Sequence, residues 1–138
     1  GLTNKKIEGD LKTPRGKFKF KYLLYRRDRY KKIDTKIKKI IIKKNMGWCD
    51  EPTSNFYNQL VKLPFKYSAE KLFLKKKVYD LILVLNYNMS PIVKNKGSAI
   101  FLHIADNKFN PTKGCLAVNE KDFVKLLKLI TKKTFIHI

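Results

Sequence analysis

The chain has 138 residues, 43% of them apolar, which suits one domain around one hydrophobic core and leaves no room for a second. Its formal charge of +21 rests on 32 basic residues, of which only Arg15, Arg26, Arg27 and Arg29 are arginine. Attraction to a polyanion therefore competes with lysines that merely decorate solvated faces, and the scarcity of Arg disfavours nucleic acid as a partner. The longest clean apolar segment, Leu81–Leu85, falls far short of the roughly 20 residues that cross a bilayer, so no membrane span is expected. Gly1–Asp10 lacks the apolar core of a signal peptide, and a chain opening on Gly is expected to lack its native N-terminal segment.

Gly9–Gly16, punctuated by Gly9-Asp10 and Thr13-Pro14-Arg15-Gly16, reads as a loop. Lys17–Tyr25 alternates, with Phe18, Phe20 and Tyr22 on one face and Lys17, Lys19 and Lys21 on the other, the pattern of a half-buried strand. Ile37–Ile42 reads as a second short strand, and Asn45–Asn58, with Gly47, Pro52 and Ser54, as irregular. Tyr79–Tyr87 is a continuous apolar run of β-favouring residues, which predicts a strand buried on both faces. Asn88–Lys96 is a loop, Gly97–Ile104 a strand carrying His103 near its end, Ala105–Lys113 a polar loop and Gly114–Val118 a short strand.

One helix is predicted over about 120–131. Asn119 is a good N-cap with Asp122 three residues on, and Phe123, Leu126, Leu127 and Ile130 make one apolar face. Thr134–Ile138 closes as a strand. The sum is a single domain over 1–138, mainly β, arranged as a sandwich or barrel with one substantial helix near the C-terminus.

A thiol nucleophile needs a base, exposure and donors for the developing oxyanion. Cys115 follows Gly114, where a substrate carbonyl can approach the backbone closely and the local N–H groups can serve as donors. His103 ends one predicted strand and Cys115 begins the next, so neighbouring strands would bring the two together; His137, beside the chain end, is the poorer base. A buried, inert Cys115 and a satisfied core His103 are the bland readings, and spacing alone leaves both open. Cys49 has Asp50 and Glu51 beside it, carboxylates that oppose thiolate formation, so it reads as structural, as a wall of the site, or as one half of a disulfide with Cys115. No pair of carboxylates has glycosidase spacing, no phosphate loop or dinucleotide fingerprint is present, and no metal site is expected.

Gly97-Ser98-Ala99-Ile100-Phe101-Leu102-His103, followed by Thr112-Lys113-Gly114-Cys115-Leu116-Ala117-Val118, resembles the active-site signature of the YkuD-type L,D-transpeptidase family. Thr13-Pro14-Arg15-Gly16 is similar to a turn of that family, and Tyr25-Arg26-Arg27-Asp28-Arg29, Trp48-Cys49-Asp50 and Tyr57-Asn58 look like a short stand-alone branch of it. The resemblance runs from about Glu8 to the C-terminus.

It implies a cofactor-free, two-step acyl transfer on peptidoglycan stem peptides, which serve as donor and acceptor, in the bacterial cell envelope. Cys115 would be the nucleophile and His103 the general base and acid. Gly114 would contribute an oxyanion N–H, and the carbonyl of Thr112 or of the residue after His103 would orient the imidazole. Carbapenem-type β-lactams would be covalent inhibitors. Lys113 stands where many members carry His, and Ala117 where many carry Arg or Asn, so binding of a substrate carboxylate is assigned to Arg26, Arg29 or Lys113. Trp48, Asp50, Tyr57, Asn58 and Ser98 complete the expected substrate-binding set. Water as acceptor would make the protein an L,D-carboxypeptidase; loss of the reaction would leave a basic module binding nucleic acid or anionic wall polymer.

Overall fold

The computed structural model describes residues 1–138. Its strands are β1 (Leu2–Thr3), β2 (Thr13–Pro14), β3 (Lys17–Tyr25), β4 (Lys39–Ile41), β5 (Met46–Cys49), β6 (Leu60–Lys62), β7 (Ala69–Lys71), β8 (Leu81–Leu85), β9 (Phe101–Ile104), β10 (Leu116–Val118) and β11 (Phe135–His137). A single 3-10 turn, Lys77–Tyr79, precedes β8, and the helix α1 (Glu120–Leu129) follows β10. The main sheet runs β10-β9-β8-β3-β11. The outer edge of β3 is shared: its start pairs antiparallel with β11, and its end pairs parallel with β4. A register shift between Phe20 and Tyr22 separates the two halves.

Strand β8 explains the layering. Leu81, Leu83 and Leu85 pack on one face with Leu102, Ile104 and the helix residues Phe123 and Leu127. Ile82 and Val84 pack on the other face with Phe101, Trp48, Leu72 and Tyr79. Side chains alternate across a strand, so five consecutive buried residues require a cover on each side. Helix α1 supplies one cover. The small sheet β6-β5-β7 supplies the other, with Trp48 meeting the edge of Phe101 at a ring-centroid distance of 5.1 Å. The result is a mainly β sandwich with a single helix on its outer face.

Helix α1 starts as its sequence dictates. Asn119 Oδ1 accepts from the Asp122 N–H at 2.8 Å, and Asn119 Nδ2 donates to the Asp122 carboxylate at 2.7 Å. It ends two residues sooner than the apolar spacing implies, with Ile130 already extended. The Thr131 N–H is taken by Thr134 Oγ1 and the Lys133 N–H by Thr131 Oγ1, local bonds that compete with another helical turn.

Four other spans differ from expectation. Asn45–Asn58 is not wholly irregular, because Met46–Cys49 is the central strand of the small sheet. Within Gly9–Gly16, Thr13–Pro14 pairs with the first strand. Tyr79 belongs to the 3-10 turn rather than to β8. The ladder of the predicted Gly97–Ile104 strand begins only at Phe101, because Gly97–Ala99 is held by side chains and Ala99 has a left-handed φ of 53°.

Candidate active site

Strand β10 runs parallel to β9, with Leu116 opposite Leu102 and Ala117 opposite His103. Two residues before Ala117, Cys115 falls on the same face as His103, the face covered by the small sheet. Both side chains line one cleft of about 1260 Å³, together with Ser98, Asp50, Lys113, Thr112, Glu70 and Tyr79.

His103 is buried, and its Nδ1 lies 2.9 Å from the carbonyl oxygen of Ile104, the residue that follows it. A carbonyl only accepts, so Nδ1 carries the proton and Nε2 is the unprotonated nitrogen. The Tyr79 ring meets the imidazole edge-on at 5.3 Å between centroids. Burial pushes the His103 pKa below its ordinary value, against the opposing pulls of the Ile104 carbonyl and Asp106. The imidazole is therefore neutral and basic near neutral pH. Of the two carbonyls expected to orient it, that of the residue after His103 lies on Nδ1, while the Thr112 hydroxyl donates to the carbonyl of Cys115.

Cys115 is half-buried, and its thiol donates to the Ala99 carbonyl at 3.1 Å rather than to His103. Burial pushes the thiol up to about 12; an N–H from Phe101 works against this, and the Glu70 carboxylate adds to it. Thiol and imidazole are thus a neutral pair at rest. Cys49 is fully buried, and neither cysteine is in a disulfide.

The cleft floor is acidic in an otherwise strongly basic protein. Tyr79 donates its hydroxyl to Glu70, whose carboxyl is pushed up by burial, drawn back by that hydroxyl, raised again by Asp50 and lowered by Lys113. Asp50 Oδ1 is buried with no hydrogen-bond partner. Glu8 accepts from both Tyr57 and Ser98 at the rim.

Arg26, Arg29, Trp48, Tyr57 and Asn58 do not reach the cleft lining. Arg26 is buried, paired with Asp28 by two bonds of 2.8 Å, stacked over Phe73 and bonded to the Leu74 carbonyl. Arg29 meets buried Asp80 at 2.5 Å and the Lys75 carbonyl at 2.9 Å. Both arginines are spent on holding the segment at 74–76. Of the three residues to which substrate-carboxylate binding is assigned, Lys113 alone faces the cleft. Trp48 Nε1 donates to Asn58 Oδ1 at 2.9 Å within the core.

A family model described as the L,D-transpeptidase catalytic domain (YkuD) matches residues 1–138. The chain belongs to the YkuD family. Searches of curated proteins and of solved structures find no match. The family's members are L,D-transpeptidases, and no helix of this YkuD domain is long and apolar enough to cross a membrane. Sequence reasoning missed Glu70, Tyr79 and Lys12 in this YkuD site. Glu70 reaches the thiol through the packing of the small sheet on the main one, and Tyr79 from the 3-10 turn before β8, placements that no local pattern announces. Lys12, next to the Thr-Pro turn, brings its own backbone oxygen against Gly114.

Proposed function

We propose that the protein is a cysteine acyl-transferase that cross-links peptidoglycan stem peptides through a thioester at Cys115, acting in the bacterial cell envelope. The observation that carries this reading is the placement of Cys115 and His103 on one face of adjacent parallel strands in one cleft, with His103 Nδ1 committed to Ile104 and Nε2 left as the base.

The chemistry follows from that geometry. His103 Nε2 takes the thiol proton as sulfur attacks the donor carbonyl, forming the C–S bond. The N–H groups of Gly114 and Cys115, which have no acceptor within the fold, are suited to hold the oxyanion. Collapse breaks the C–N bond to the terminal D-alanine, whose amine leaves with the proton from His103. An acceptor amine then attacks the thioester, gives a proton to His103, and the thiol is regenerated as sulfur leaves with it. A neutral pair suits this course better than a preformed ion pair, because the proton moves only when substrate is present. Lys113, in the cleft beside the acidic floor, is a cation available to a substrate carboxylate.

The test is incubation with purified tetrapeptide muropeptides followed by mass spectrometry. Cross-linked dimers and released D-alanine are expected, together with a carbapenem adduct on Cys115 that disappears in Cys115→Ala. Shortened monomers without dimers would assign hydrolysis instead. A folded protein that gives neither product nor adduct would overturn the reading.

A further inference from the structure

The carbonyl that holds the thiol sits in an unusual piece of backbone. Ala99 is buried and adopts a φ of 53°, a conformation that costs a residue with a Cβ of order 1 kcal/mol or more unless its surroundings enforce it. Its neighbours supply that enforcement. The Gly97 N–H donates to the Tyr57 hydroxyl at 2.9 Å, Ser98 Oγ donates to Glu8 at 2.8 Å, and the Ala99 N–H donates to Asn58 Oδ1 at 3.1 Å.

Asn58 is the fixed end of this arrangement. Only 3% of it is exposed, so each of its polar groups needs a partner inside the protein. Oδ1 accepts from Trp48 and from Ala99, and Nδ2 donates to the carbonyls of Tyr87 at 3.2 Å and Asn88 at 2.8 Å. Its own N–H donates to the Cys49 carbonyl at 2.9 Å. One side chain thus ties the small sheet, the Tyr87–Asn88 turn and the Gly97–Ala99 strap together. The carbonyl on the far side of that strap meets Cys115 Sγ at 3.1 Å.

We infer that Asn58 is a positioning residue which, through Ala99, holds the Cys115 thiol in its neutral, protonated form and aims it into the cleft until substrate lets His103 take the proton. A hydrogen bond donated by S–H to a carbonyl exists only while the proton is present, so it stabilises the thiol against the thiolate. The carbonyl's lone pairs also disfavour an anionic sulfur in the same place. The strap therefore suppresses idle thiolate while fixing the sulfur's position. This rests on Cys115 being the acyl-transfer nucleophile, and it moves Asn58 from the substrate-binding set to the support of the nucleophile.

The charged and titratable groups facing the thiol are Glu70 and Asp50 from the small sheet, Tyr79 from the 3-10 turn, His103 from β9, Lys6 from the N-terminal segment and Lys113 from the preceding loop. None is hydrogen-bonded to Asn58, so Asn58→Ala removes no charge from around the sulfur.

The experiment compares wild type with Asn58→Ala, measuring alkylation of Cys115 by iodoacetamide against pH and acyl transfer on tetrapeptide muropeptides, each with Cys115→Ala as the blank. In folded Asn58→Ala the alkylation inflection should fall by about half a pH unit or more while acyl transfer falls by at least tenfold. A folded variant with an unmoved inflection would overturn the inference. If Asn58→Ala does not fold, the S–H stretching band of wild type that disappears in Cys115→Ala decides: a position shifted down by hydrogen bonding supports the inference, and that of a free thiol overturns it. Alkylation and the S–H band report on the strap whether or not the protein transfers acyl groups. Failure of the proposed function would instead appear as wild type making no muropeptide product.

Discussion

The backbone oxygen of Lys12 lies 2.7 Å from where a Cβ on Gly114 would stand. Gly114 has a φ of +107°, so the residue before the nucleophile is glycine for two reasons: its backbone angle and the closeness of a second backbone. The close neighbour is the chain's own Lys12 rather than a substrate, which changes the reason the sequence suggested. Lys12 is held in turn by Asp10, which accepts its N–H at 2.9 Å and pairs with Lys6 at 2.5 Å. The N-terminal loop is therefore part of what fixes Cys115. Gly114→Ala should cost about 2 kcal/mol or more, because the atoms it would meet are all Lys12 backbone and cannot swing away. It should also displace the sulfur enough to slow acyl transfer by about a hundredfold. Denaturant unfolding and muropeptide turnover check the two halves separately.

The state of His103 sets the acid limb of the reaction. Burial lowers its folded pKa below the ordinary value of about 6.5, so the imidazole remains a base at pH values where a free histidine is charged. The kcat/KM for acyl transfer should rise with pH and level off at an inflection below about 6.5. Stability should move in the same sense. Below the unfolded pKa the unfolded chain binds the proton more readily, so this contribution to stability shrinks as pH falls from 6.5 towards the folded pKa and is constant below it. In His103→Gln both the limb in kcat/KM and this part of the stability profile should vanish.

The pairing of Arg29 with Asp80 predicts a stability effect where the sequence suggested substrate binding. Asp80 is buried, and burial raises its pKa while Arg29 lowers it. Arg29→Ala leaves that carboxylate unpaired, at a cost of about 2 kcal/mol once the partial exposure of the arginine is allowed for. The loss should be largest near neutral pH and shrink on acidification as Asp80 takes up a proton. The KM for donor muropeptide in the folded variant should stay within about twofold of wild type. A tenfold rise in KM without loss of stability would return Arg29 to the substrate.

The parts of the fold legible in the sequence are those written in local periodicity. The Leu81–Leu85 run reads as buried on both faces because helix and small sheet do cover both, and Asn119 with Asp122 marks the helix start. Strand β5 was hidden by Gly47, which reads as punctuation. A Cβ there would come within 3.2 Å of the Glu70 carbonyl, so this glycine marks close approach of β7 rather than a turn. That Cys115 and His103 could meet was legible from the loop joining their strands only on the condition that the strands are neighbours; the shared face comes from the β9–β10 register, which no local pattern announces. The burial of Arg26, Tyr57 and Asn58 was not legible, since their partners lie far along the chain: Leu74, Glu8 and Tyr87.

Glu70 offers a separate handle on the same thiol. Its carboxylate lies close enough to Cys115 to oppose thiolate formation, and its own pKa is raised by burial. A carboxyl whose folded pKa exceeds its unfolded one weakens the fold as pH rises through the unfolded value towards the folded one. Glu70→Gln keeps an oxygen to accept from Tyr79 and removes the charge. The variant should therefore be at least as stable as wild type at neutral pH, with the advantage fading at acid pH where Glu70 is already protonated. Its alkylation inflection should move down, because the Glu70 charge that raises the thiol has gone while burial and the Ala99 carbonyl remain. Acyl transfer should change less than in Asn58→Ala, since the strap that aims the sulfur is intact. Thermal unfolding at two pH values and an iodoacetamide profile test the pair of effects together. A destabilised variant with an unchanged profile would mean that the Tyr79–Glu70 bond supports the fold alone and has no influence on the sulfur.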